Sequence, residues 1–243
     1  MKKPKMIIFD YGHTLLSEPG FDFLRGQKAL FPYVTKNESG KTPEEISKFA
    51  GGLFEKIGAA RKVGLELHEK QFQSFLYEYL GIEFSISLPE VEEILWDNTS
   101  PGAVMPNAGI MIDYINENNI RSGVISNIGW SGAALTKRIN RLLPHNKFEF
   151  IIASSEYMFR KPNVLLFELA LKKARLDAGD VWYCGDKIKY DVEGSSAAGI
   201  FPVWYEDLTA ENPWREDDTG SVPKCEHLHI HDWLDLIEVL ERL

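Results

Sequence analysis

The sequence predicts an α/β protein: a doubly wound, Rossmann-like parallel sheet with a helical cap inserted after its first strand. Three observations lead there. Four short apolar runs lack the alternation of a half-exposed strand and suit strands buried on both faces. Helical patterns fall between the later runs. About 110 residues separate the first run from the second, far more than a crossover helix needs.

In chain order, Met6-Ile7-Ile8-Phe9 is the first strand, ended by Asp10. The inserted segment then opens its own helices. Thr42-Pro43-Glu44-Glu45 is a capping box with proline at the first helical position, and Ile46, Phe49, Leu53 and Ile57 follow at helical spacing. Phe72, Phe75, Leu76, Tyr79 and Leu80 form a second apolar stripe, and Ser87-Leu88-Pro89-Glu90 opens a third helix. Residues 17–100 are therefore expected to form the cap, and residues 1–16 with 101–243 the α/β core.

Beyond the cap, a helix over Ala108 to Asn118, capped by Asn107, precedes the strand Gly123-Val124-Ile125. Phe150-Ile151-Ile152 is the third strand. A helix over Val164 to Lys173 follows, with Leu165, Leu166, Leu169 and Ala170 on one face, and leads to the strand Val181-Trp182-Tyr183-Cys184. Phe201 to Tyr205 is a weaker strand, and its Pro202 points to an edge position. Glu206 to Gly220 holds six acids and one arginine around Pro213 and suits an exposed loop. Trp233, Leu236, Ile237 and Leu240 give a closing helix.

With 243 residues, 44% of them hydrophobic, the chain has material for one large domain, or for one domain carrying a smaller one. A net charge of -9 with no concentrated basic patch argues against nucleic acid or an anionic membrane as partner. Two cysteines, Cys184 and Cys225, make no disulfide framework, and no apolar run is long enough for a signal peptide or a membrane span. A cytoplasmic protein is expected.

In parallel sheets the ligand crevice lies beyond the carboxyl ends of the strands. The first strand is followed there by Asp10, the second by Ser126-Asn127, the third a few residues on by Lys161, and the fourth by Gly185-Asp186 with Asp191. Three carboxylates at one place repel one another unless a cation joins them, and oxygen-only ligands favour a hard ion such as Mg2+. Lys161 and the Ser126 hydroxyl would then donate to a doubly charged anion, and a phosphoryl group fits that description.

These residues resemble the motifs of the haloacid dehalogenase superfamily, in the branch whose helical cap follows the first motif. Asp10-Tyr11-Gly12-His13-Thr14 resembles the DxDxT motif, Ser126-Asn127 the hydroxyl motif, Lys161-Pro162 the lysine motif, and Gly185 to Asp191 the GDxxxxD motif. Pro106-Asn107-Ala108-Gly109 and Ala197-Ala198-Gly199 extend the likeness over nearly the whole chain. The resemblance implies that Asp10 attacks phosphorus and that water hydrolyses the resulting aspartyl-phosphate. It also implies Mg2+ held by the Asp10 carboxylate, the Gly12 carbonyl and Asp186, with Asp191 bound directly or through water. Ser126 and the backbone amide of Asn127 would bind the transferred phosphoryl, and Lys161 would neutralise it and the nucleophile. The expected substrate is a small soluble phosphorylated metabolite.

One position departs from the family pattern. The superfamily's phosphatases carry a second aspartate two residues after the nucleophile, as general acid and base, and here that residue is Gly12. A positioned acid-base contributes about 10²–10⁴-fold in rate. Three alternatives stand open: a leaving group that needs no proton, as in an acyl phosphate; His13 or His68 in the acid's role; or a different chemistry. The dehalogenases lack the second aspartate and work without metal, but need neither Asp186 nor Asp191 as ligands. The phosphonate-cleaving relatives add a cap lysine, for which Lys56 and Lys62 are candidates by location. A phosphate-binding or interaction module is the non-enzymatic alternative. Finally, Cys225, His227, His229 and His231 alternate, which on one strand face would suit a transition metal such as zinc, or else a short strand before the last helix.

Overall fold

The computed structural model describes residues 1–208 and 221–243. From the N-terminus, β1 (Met6–Phe9) leads through the short β2 (Leu16–Ser17) into an inserted segment. There α1 (Phe23–Leu30), β3 (Val34–Asn37), α2 (Pro43–Ile57), α3 (Ala59–Lys62), α4 (Glu69–Tyr79), β4 (Ile82–Phe84) and α5 (Leu88–Thr99) follow one another. The chain returns through β5 (Ala103–Val104) to α6 (Ala108–Glu117), β6 (Arg121–Ser126), α7 (Gly132–Leu142), β7 (Ile151–Ala153) and α8 (Val164–Ala174). It ends with β8 (Val181–Gly185), α9 (Glu193–Ala197), β9 (Phe201–Tyr205), β10 (Leu228–Ile230) and α10 (Trp233–Glu241).

Six strands form one parallel sheet in the order β10-β9-β8-β1-β6-β7. Successive residues of each strand enter different cores. Ile7, Phe9, Val124, Trp182 and Cys184 face the larger cluster with Ala108, Met111, Leu135 and Trp233. Met6, Ile8, Ile125, Ile152 and Tyr183 face the other, with Leu166, Phe167 and Ala170 of α8. Both faces are covered, which is why these strands show no alternation in sequence.

The capping box at Thr42 forms, with Glu45 N–H donating to Thr42 Oγ1 and Thr42 N–H to Glu45, and a second box forms at Ser87 with Glu90. Four details differ from expectation. The strand β9 is not an edge, because β10 pairs with its outer side; that pairing begins at Val203, so Pro202 owes β10 no N–H. On α4 the buried face is Phe72, Gln73, Leu76 and Tyr77, while Phe75 and Tyr79 are exposed and stack on one another. Gln73 and Tyr77 are admitted inside by partners: Tyr77 and Gln27 exchange hydrogen bonds, and Gln73 donates to Glu69. On α8 it is Leu166, Phe167, Ala170 and Ala174 that are buried, and Leu165 is exposed. Asn107 stands at the N-cap of α6 in a left-handed conformation, but its amide donates to Asp232, the cap of α10, instead of capping α6. Within the expected exposed loop over Glu206 to Gly220, residues 209–220 lie outside the described residues.

The inserted segment leaves and returns side by side, where β2 and β5 pair antiparallel. Arg138 of α7 clamps that stem: its guanidinium donates to Glu18, to Asp97 and to the Ser100 carbonyl, and lies 3.9 Å above the Trp96 ring. Close approach of α1 to α5 depends on Gly26, where a Cβ would stand 2.4 Å from Thr99 Oγ1. The segment also reaches the loops that follow β6 and β7. Glu69 N–H donates to the Gly129 carbonyl, Glu66 N–H to the Met158 carbonyl, and Glu92 accepts from the Ser131 N–H and hydroxyl. The wholly buried Glu66 carboxylate takes Arg61, Arg160 and Ser154.

Candidate active site

The strand register brings the motif residues to one end of the sheet. Phe9 pairs with Val124 on one side and Cys184 on the other, so one residue further Asp10 stands level with Ile125 and Gly185, a step before Ser126 and Asp186. Asp10 is anchored by its N–H, which donates to the Cys184 carbonyl at 2.8 Å. Ser126 closes β6 and is buried.

Lys161 enters from the loop after β7, and Asn127 fixes it there. The Asn127 amide donates to the Lys161 carbonyl at 3.0 Å and accepts from its N–H at 2.7 Å. The Lys161 ammonium is buried and donates to Asp10 Oδ1 at 2.6 Å, Asp191 Oδ1 at 2.6 Å and the Tyr183 hydroxyl at 2.8 Å. That satisfies its three protons. Asp191 is held by a π turn, Ile188–Val192, and its other oxygen accepts the Lys187 N–H. Gly185 is required here, since a Cβ would come within 2.4 Å of the Asp191 side chain.

Carboxylate oxygens of Asp10, Asp186 and Asp191 all lie within 4.8 Å of one another. Burial pushes Asp10 up to about 6 against the pull of Lys161, with Asp191 adding to the rise. Asp186 is pushed up to about 8 by burial and by the charges of Asp10 and Asp191. Burial works against the Lys161 ammonium, but Asp10 and Asp191 outweigh it and hold Lys161 above the usual lysine range. Lys187 Nζ stands 3.6 Å from Asp186 Oδ2, so among the described residues three carboxylates face two ammonium groups. An all-oxygen donor set suits a hard divalent cation.

Three residues around this centre escaped sequence reasoning. Tyr183 bridges Lys161, Asp191 and the Ile125 carbonyl, Thr14 Oγ1 stands 3.4 Å from Asp10 Oδ2, and Trp204 Nε1 donates to the Asp186 carbonyl at 3.3 Å. Thr14 was visible as the last position of the first motif; Tyr183 and Trp204 read as strand aromatics. His68 is the N-cap of α4, its Nδ1 accepting from Lys70 N–H and its Nε2 3.5 Å from Glu156. Lys56 and Lys62 are exposed. His13, in a left-handed conformation, turns the chain after Gly12 with its N–H on the Leu16 carbonyl.

The alternation from Cys225 to His231 is not one strand face. The strand β10 spans only Leu228–Ile230, Cys225 Sγ lies 3.9 Å from the Val192 carbonyl, and His227 Nδ1 lies 2.8 Å from the Cys225 carbonyl. His229 and His231 come close enough beside Glu206 to share an ion, while the His227 ring stands 6.4 Å from that of His229. Cys184 and Cys225 are both free, and no helix among the described residues is long and apolar enough to cross a membrane.

Comparison with known proteins bears on the family. A family model described as haloacid dehalogenase-like hydrolase matches residues 7–204. The chain is 25% identical over 209 residues to a glyceraldehyde 3-phosphate phosphatase of Methanothermobacter thermautotrophicus, across 82% of this chain and 84% of that one. It is 25% identical over 232 residues to pyrimidine 5'-nucleotidase YjjG of Escherichia coli, across 95% and 96% of the two chains. Among solved structures, a 2-haloacid dehalogenase from Pseudomonas syringae pv. Tomato superposes with a TM-score of 0.62 at 19% identity, over 98% of this chain and 99% of that one, a likeness of fold alone. The family match spans most of the chain and includes all four strand-end motifs, and the protein belongs to the haloacid dehalogenase-like hydrolases.

Proposed function

We propose that the protein is a Mg2+-dependent phosphohydrolase of a small phosphorylated compound, with Asp10 as nucleophile. The observation that carries this reading is the buried meeting of Asp10, Asp186 and Asp191 around one lysine. Among the described residues three carboxylates face Lys161 and a more distant Lys187, and burial, with the charges of Asp10 and Asp191 beside it, raises Asp186 to about 8. A divalent cation relieves that repulsion; a halide-releasing site, which needs only a nucleophile and an anion pocket, has no use for Asp186. Asp10, Asp186 and the Gly12 carbonyl would hold the ion, with Asp191 directly or through water. When bound, it neutralises phosphoryl oxygens as a Lewis acid.

The chain's own groups do the rest. Lys161 opposes the desolvation of Asp10 and so favours an ionised nucleophile at neutral pH. Asp10 attacks phosphorus, an Asp10 oxygen–phosphorus bond forms, and the bond to the leaving oxygen breaks. Ser126 and the Asn127 amide donate to the transferred phosphoryl. Water then cleaves the aspartyl-phosphate and regenerates Asp10. Residues 17–100 act as the cap that excludes bulk water and selects the substrate, held down by Glu66, Glu69 and Glu92 on the loops after β6 and β7. The relatives named for phosphatase and nucleotidase activity support this class of substrate. The two free cysteines suit a reducing, cytoplasmic setting.

With Gly12 in place of the usual acid, a substrate whose leaving group needs no proton is favoured. The test is turnover of an aryl phosphate with Mg2+ and after chelation. Mg2+-dependent release of phosphate is expected; release that persists in chelator, or none at all, overturns the reading.

A further inference from the structure

The second concentration of metal-binding side chains lies at the outer end of β9 and β10. Because β10 pairs in parallel with β9, His229 is level with Trp204, and Glu206 N–H continues the ladder to the Ile230 carbonyl at 2.9 Å. His229 lies on β10 and His231 just past its end, and their rings meet beside Glu206. Their rings are 4.5 Å apart between centroids, and the Glu206 carboxylate joins them. One ring nitrogen from each histidine and one Glu206 oxygen lie within 4.8 Å of one another.

We propose that Glu206, His229 and His231 form a second metal site, separate from the carboxylate centre, that takes Zn2+. Two imidazoles and one carboxylate are a borderline donor set, which suits Zn2+ far better than Mg2+. The spacing fits as well. Zinc bonds of about 2.1 Å in a tetrahedron put ligand atoms about 3.4 Å apart. His229 Nε2 stands 3.0 Å and His231 Nδ1 3.9 Å from Glu206 Oε2, on either side of that separation, and His231 Nδ1, which donates to the Glu206 carbonyl at 3.0 Å, gives up that bond and its proton to take the ion. Among the described residues these three are the protein ligands of the site.

The site touches the catalytic end of the sheet through one side chain. The Trp204 ring stacks on His229, with centroids 3.9 Å apart and planes 10° apart, and its Nε1 donates to the Asp186 carbonyl. Zinc on His229 therefore fixes the ring that supports the main chain at Asp186. This makes the site a structural pin for the GDxxxxD turn, independent of which reaction the carboxylate centre performs.

The experiment is calorimetric titration of the full chain with ZnCl2 in excess Mg2+, on the wild type, the double variant His229→Ala/His231→Ala, Glu206→Gln and Asp186→Asn. The proposal expects one zinc ion per chain in the wild type and in Asp186→Asn, no binding in the double variant, and affinity at least about tenfold weaker in Glu206→Gln. Circular dichroism of each variant checks folding. If the double variant does not fold, Glu206→Gln decides alone, since it keeps the shape of the side chain. Unchanged affinity in a folded double variant or in Glu206→Gln, loss of the site in Asp186→Asn, or no zinc uptake by the wild type overturns the assignment.

Discussion

Lys161 and Asp10, separated by 151 positions in the chain, meet as a buried ion pair of 2.6 Å. Asp191 lies at the same distance from the same ammonium, so a single lysine neutralises groups from two separate motifs. Replacing Asp10 by Asn tests what the pair is for. The variant removes one of three crowded charges and keeps the shape, so turnover is lost while the metal-free protein melts no lower than the wild type. Residual wild-type turnover, read from phosphate release, removes Asp10 from the nucleophile's role.

Lys161→Met separates the two halves of that pair. The nucleophile and Asp191 keep their burial but lose the cation, so Asp10 is driven further toward its neutral form. Turnover falls by about 10²–10³-fold, as for loss of a charged group that stabilises the transition state. The kcat of the folded variant on an aryl phosphate reads this directly, and a fall of less than tenfold places Lys161 outside the chemistry.

The raised acids make the stability of the metal-free protein depend on pH. Asp10 and Asp186 move from an ordinary 3.8 to about 6 and about 8, so between those values the folded state binds more protons than the unfolded one. Their contribution is therefore full below pH 3.8 and is lost as pH rises through about 6 and then about 8. Melting temperatures measured in chelator should fall from pH 5 to pH 8.5, and added Mg2+ should restore most stability at the upper end. A metal-free melting temperature that rises over this interval contradicts the clustering of charge.

Arg138 tests how the inserted segment is held. Its side chain is 1% exposed and joins Glu18, Asp97 and the Ser100 carbonyl, the two ends of the insertion. Arg138→Met leaves Glu18 without its guanidinium partner and costs about 3 kcal/mol in urea unfolding, because a partly buried charge is left behind. Adding Glu18→Gln should return part of that loss. A cost below about 1 kcal/mol would make the clamp no more than a surface pair.

The strands, their order of motifs and the two capping boxes were legible because each depends on local residue type: a doubly buried strand is a short apolar run, and Thr42 with Glu45 needs only three residues of spacing. The less legible features depend on partners distant in sequence. The expected stripe on α4 holds Phe75 and Tyr79, and the structure buries Tyr77 instead, where Gln27, 50 residues away, supplies its hydrogen bond. Tyr183 reads as one more strand aromatic, and only the arrival of Lys161 turns its hydroxyl into part of the site. Pro202 argued for an edge because the sequence does not say that β10 begins its pairing one residue later.

Gly12 carries the last prediction. It stands where the superfamily's phosphatases have their second aspartate, and a Cβ built there meets nothing within 4 Å. Gly12→Asp therefore has room for the Cβ of the new side chain and puts a carboxyl group two residues beyond the nucleophile. If only the proton donor is missing, hydrolysis of alkyl phosphates, whose leaving groups need a proton, rises by about 10²-fold or more. Aryl phosphates, whose leaving groups depart as anions, gain much less. The ratio of the two kcat/KM values isolates the effect from any general change in binding or folding. An unchanged ratio means that the glycine is part of a site shaped for a leaving group needing no acid, such as an acyl phosphate.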